Sequence, residues 1–80
     1  MYEIKLVYPR LRNYKPSITY TETLTYAATI DLFLRGIYTV QTSATRIGFE
    51  SERDRTLGLL LLSDRTEYTP VVVEKDSSFT

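Results

Sequence analysis

The side chains with the most scope for chemistry are the carboxylates Glu50, Glu52 and Asp54, followed by Asp64 and Glu67, with the hydroxyl of Ser51 set among them. Carboxylates that converge can hold a hard cation through their oxygens, and a hydroxyl beside a base can act as a nucleophile. Neither scheme is completed by the spacing. No calcium loop with a central glycine and a closing glutamate is present. The chain has no His and no Cys, which removes the usual base for a serine, the thiolate nucleophile and the commonest zinc ligands. Local structure explains the pattern better. Ser51 precedes Asp54 by three residues, as in a capping box, and Glu52 and Asp54 bring negative charge to the positive end of a helix. The expectation is a non-enzymatic protein with no metal, no cofactor and no small-molecule substrate.

A second constellation is basic. Arg10, Arg12, Tyr14 and Lys15 mix cations with an aromatic ring between Pro9 and Pro16, a composition suited to phosphate or to an acidic partner. A solvated hairpin loop is the simpler account. The formal net charge of +0 also argues against a strong non-specific nucleic-acid binder, whose affinity rests on many phosphate-neutralising cations. Weak nucleic-acid binding through the 10–15 loop is therefore the alternative function. The charges are unevenly spread: residues 1–20 carry Lys5, Arg10, Arg12 and Lys15 against Glu3 alone, while acidic residues outnumber basic ones from Glu50 onward. Such polarity is either incidental to a small surface or complementary to a partner or a second copy.

These groups need elements to hold them. Tyr2 to Tyr8 alternates with period two, with Tyr2, Ile4, Leu6 and Tyr8 on one face, which predicts a half-buried strand. Ser17 to Thr21 alternates again and is β-branched and aromatic, so it predicts the second strand of a hairpin. Thr21 or Thr23 would then cap a helix whose buried stripe is Tyr26, Ala27, Ile30, Phe33, Leu34 and Ile37, closed by Gly36. Leu24 and Leu32 fall off that stripe and are expected to be partly exposed. Ile37 to Ser43 and Arg46 to Glu50 predict a hairpin turning at Ala44-Thr45, with Ile47 and Phe49 inward. Ser51 opens a second helix over the leucine run 57–62, although a buried strand competes because Gly58 weakens a helix. Tyr68 to Glu74, with Pro70 near its start, predicts a last strand at a sheet edge, and 75–80 a frayed tail.

The resulting fold class is α+β: a small antiparallel sheet with two helices on one face. Its order is ββαββα with a C-terminal strand, or ferredoxin-like βαββαβ if 17–21 is not a strand. At 80 residues, with 42% hydrophobic and 25% charged residues, the chain is a single domain spanning 1–80. No apolar run approaches a membrane span and the N-terminal segment does not read as a signal peptide, so a cytoplasmic protein is expected. The fragment Arg46-Ile47-Gly48-Phe49 touches a corner of the RNA-recognition consensus. Alternation, however, leaves Glu3, Lys5, Val7, Arg46, Gly48 and Glu50 on the open face, with no aromatic to stack a base.

Surplus apolar surface is the remaining lead. One stripe cannot hide five leucines, so with Leu57, Leu60 and Leu61 inward, Leu59 and Leu62 face outward unless the last strand covers them. With Val72 on an edge strand, Leu59 and Leu62 are the expected contacts for another protein or for self-association as a homodimer. The run Phe49-Glu50-Ser51-Glu52-Arg53-Asp54-Arg55-Thr56-Leu57 resembles the strand-to-helix junction of small uncharacterised bacteriophage-type accessory proteins. That resemblance implies a protein that binds and modulates or inhibits a host protein, such as a defence component. It implies no particular site residues.

Overall fold

Strand β1 (Tyr2–Val7) is followed by helix α1 (Ile18–Leu34), the hairpin β2 (Thr39–Ser43) and β3 (Arg46–Phe49), helix α2 (Glu52–Leu62) and strand β4 (Thr69–Val73). The computed structural model that shows this describes residues 1–9 and 17–73. The strands form one sheet in the order β2-β3-β1-β4, with every neighbouring pair antiparallel. This is the split βαβ, ferredoxin-like arrangement. Ile4 lies opposite Ile47 on one side and Val72 on the other, and Leu6 lies opposite Pro70. Pro70, which cannot donate to a ladder, is tolerated because β4 is an edge. Ile4, Leu6, Ile47 and Phe49 are fully buried, so the period-two reading of β1 and β3 places the correct face inward.

The expected strand over 17–21 is instead the first turn of α1. Ser17 has extended backbone and its Oγ accepts from the Tyr20 N–H at 3.1 Å, so it is the N-cap in place of Thr21 or Thr23. Alternating β-branched residues suggest a strand, yet Thr21 satisfies its hydroxyl inside the helix by donating to the Ile18 carbonyl at 3.0 Å. A capped helix with satisfied threonines outweighs local β propensity. At the other end Gly36 adopts φ 89°. Its N–H donates to the Phe33 carbonyl, and that of Ile37 to the Leu32 carbonyl, both at 3.0 Å. These are the two bonds of a Schellman motif, and the buried pair Leu32 and Ile37 makes the accompanying apolar contact.

Ser51 is the N-cap of helix α2, its Oγ accepting from the Asp54 N–H at 3.1 Å, the first of the two bonds of a capping box. Its rotation differs from the leucine stripe expected above. Gly58 and Leu62 are its buried residues, whereas Leu60 is 64% exposed and Leu57 also faces solvent. Glycine sets that rotation. A Cβ at Gly58 would come within 2.6 Å of the Phe49 ring, so the helix backbone lies directly on that ring and turns Leu62, one turn later, into the core. α2 covers β1, β3 and β4, while α1 lies mainly over the edge strand β2.

Candidate protein-docking surface

Helix α1 buries its small polar face and exposes its large apolar one. Its buried residues are Thr21, Thr25, Ala28, Thr29 and Leu32. Tyr26, Ile30, Phe33 and Leu34, the expected core stripe, are 58%, 39%, 57% and 77% exposed, and Ala27 is exposed beside them. Leu32, expected at the surface, is fully buried.

Hydrogen bonding accounts for the inversion. Thr25 Oγ1 donates to the Ala44 carbonyl in the β2–β3 turn at 2.8 Å and lies 2.8 Å from the Tyr8 hydroxyl. The Tyr8 hydroxyl is also 3.1 Å from the Thr21 carbonyl. Since the Thr25 proton is committed to Ala44, the Tyr8 proton is the one shared between Thr25 and Thr21. Thr29 Oγ1 donates to the Thr25 carbonyl at 2.9 Å, and Thr39 Oγ1 on β2 donates to the Thr29 carbonyl at 3.1 Å. Small side chains let α1 approach the sheet edge closely enough for this ladder. Bulky Tyr26 and Phe33 could not enter the same gap without forcing the helix outward.

Tyr8 sits at the meeting point of β1, α1 and the α2–β4 connection. Its ring makes edge contacts with Tyr20 at 6.4 Å and Tyr68 at 5.5 Å between centroids. Burial pushes the Tyr8 phenol above its ordinary range, and burial likewise raises that of Tyr68. One surface cleft lies at the C-terminal ends of the two helices and another along the middle of α1 beside the α2–β4 connection. One, of about 330 Å³, is lined by Arg35, Leu60, Leu61, Asp64 and Arg65. The other, of about 100 Å³, includes Leu24, Asp31, Arg65 and Tyr68. Between them Asp31 receives Arg35 Nε at 3.4 Å and Arg65 Nη2 at 3.2 Å. Glu52 pairs with Arg55, which also lies over the Tyr2 ring and donates to the Val73 carbonyl at 3.3 Å. Of the acidic residues after Phe49, Glu52 is held in an ion pair with Arg55, and no three of the metal-ligating side chains converge among the described residues.

The residues expected from the leucine run to meet a partner are placed differently. Leu62 is fully buried and Leu59 is half-buried against the core. Val72, opposite the buried Ile4, is half-buried on the helix-covered side of β4. Leu62 is thus a core residue, because Gly58 turns its side of α2 inward. Arg10, Arg12, Tyr14 and Lys15, and the 75–80 segment, lie outside the described residues. The exposed apolar face of α1 is visible in the sequence as a stripe, but its spacing points to the core and the structure turns it to solvent. The signal for the true inner face was the spacing Thr21, Thr25, Thr29 with Ala28 and Leu32, small residues at helical period. No helix among the described residues is long and apolar enough to cross a membrane. No family model, curated protein or solved structure matches the chain.

Proposed function

We propose that this chain is a small, non-enzymatic, cytoplasmic protein-binding module whose docking surface is the outer face of α1. The observation that carries this reading is the exposure of Tyr26, Ile30, Phe33 and Leu34 on a helix whose inner face is threonine. Leaving such side chains in water forgoes roughly 1.5–3 kcal/mol each relative to full burial. A contiguous patch of that kind marks an interaction site. The face carries no cation, which favours a protein over nucleic acid as the partner. An accessory role, in which the module modulates or inhibits a larger host protein as the bacteriophage-type resemblance implies, would then act by surface complementarity alone.

Site-specific photo-crosslinking tests the reading. A photoreactive residue replacing Phe33 should give a discrete protein adduct in cells, whether to the chain itself or to another protein. The same group replacing Arg53, exposed on α2, should not. Equal or absent adducts at the two positions would remove the α1 face as the docking surface.

A further inference from the structure

Resting on that reading, we infer that the outer face of α1 pairs with the same face of a second copy, as two antiparallel helices related by a two-fold axis at Ile30. The argument is the self-complementarity of the stripe. At 3.6 residues per turn, Tyr26 and Phe33 lie on one flank of Ile30, and Ala27 and Leu34 on the other. An antiparallel copy centred on Ile30 brings position −4 level with position +3 on the same flank. Tyr26 then meets Phe33 of the second copy, an aromatic pair, while Leu34 fills the space above the small Ala27 of the second copy. Ile30 meets itself. Any displacement by a turn would set Leu34 beyond the partner stripe and leave Ala27 uncovered. The 3-4 spacing of residues 23, 26, 30 and 33 is also that of helices packing side by side at a shallow angle.

Electrostatics permit the same pairing. The stripe itself, Thr19, Thr23, Tyr26, Ala27, Ile30, Phe33 and Leu34, includes no charge, and Asp31, which lies on the Ala27 flank one residue from the axis, is already paired with Arg35 and Arg65. The exposed parts of the four large side chains amount to roughly 400 Å² on each copy, by the usual size of aromatic and aliphatic residues. Doubled, this is about 800 Å², to which Thr19 and Thr23 add at the rim, the size of a weak, transient contact below about 1,200 Å².

Sedimentation velocity of the purified chain over a concentration series tests the proposal. The wild type should pass from monomer to dimer in the micromolar range. Ile30→Lys and Ile30→Glu should each weaken association about 100-fold or more, because each would face its own charge across the axis. An equimolar mixture of the two should recover the dimer. Because Ile30 is a surface residue of α1, circular dichroism should show both variants folded. A wild type that stays monomeric overturns the second copy as occupant; if photo-crosslinks from position 33 to another protein persist, the docking reading stands without it. A dimer indifferent to both variants overturns the α1 face. Folded variants that do not recover association on mixing overturn the two-fold at Ile30.

Discussion

Gly58 shows how one missing side chain fixes the placement of a helix. Alanine there would favour an isolated helix by about 1 kcal/mol. Its Cβ would, however, stand 2.6 Å from Cε2 and Cζ of Phe49, a ring that is itself fully buried and cannot retreat into solvent. Overpacking of this kind costs about 1–3 kcal/mol. Gly58→Ala should therefore lower the urea midpoint despite its better propensity, with a net loss of up to about 2 kcal/mol. Combining it with Phe49→Leu should give less than the sum of the two losses; additive losses would show that the ring is not what Gly58 accommodates. Tyr8 offers a second test through pH. Its phenol is raised by burial, and Tyr68 likewise, so both keep their protons in the fold at pH values where the unfolded chain has lost them. Their contribution is complete below about pH 10 and is lost as pH rises through the folded values. Tyr8→Phe should cost about 1 kcal/mol at neutral pH by removing the donor shared between Thr25 and Thr21. Above pH 10 the wild type should lose stability faster than the variant in urea titrations. Parallel slopes would mean that Tyr8 does not carry the linkage.

At the scale of the element, rotation about the helix axis decides which residues matter. Leu62 is fully buried and Leu60 mostly exposed, so Leu62→Ala should cost about 2–5 kcal/mol and Leu60→Ala about 0.5 or less. Comparable losses in chemical denaturation would contradict the placement of α2. The strands and both helix ends of this kind were legible in the sequence: the alternation at Ile4, Leu6, Ile47 and Phe49, the Ser51 cap and the Gly36 stop all appear where expected. Helix rotations were not legible, for two separate physical reasons. In α2 the leucines are too numerous to rank by hydrophobicity, and the deciding residue is a glycine that contributes no hydrophobicity at all. In α1 two stripes compete, one large and apolar and the other small and threonine-rich. The gap beside the edge strand β2 accepts the smaller, because Thr25, Thr29 and Thr39 complete a hydrogen-bond ladder there. The same ladder turned the apparent strand at 17–21 into a helix start, since a helix extended by one turn adds Thr21 to its buried face. The apolar residues of the outer face of α1 were therefore identifiable by position, and their exposure only by packing.

For the whole molecule, an 80-residue chain that leaves four large apolar side chains of α1 in water starts from a small reserve of stability. Association of folded copies adds to that reserve by mass action, because the unfolded chain has no ordered stripe to pair. At a chain concentration about 100-fold above the dissociation constant the gain is near 1.5 kcal/mol per copy, less than a free ligand would give because each copy consumes another. For a domain of this size that corresponds to a rise in thermal midpoint of roughly 5–10 °C. The wild-type midpoint should therefore climb with concentration across the micromolar range, whereas that of Ile30→Lys should stay at the dilute wild-type value, as a surface substitution changes a monomer by about 0.5 kcal/mol or less. Differential scanning calorimetry at several concentrations separates the cases. A midpoint for Ile30→Lys far below that of the dilute wild type would mean that the stripe supports the monomer itself and is not held in reserve for a second copy. A concentration-dependent rise shared by both would place the association on another face, such as the edge strands β2 and β4.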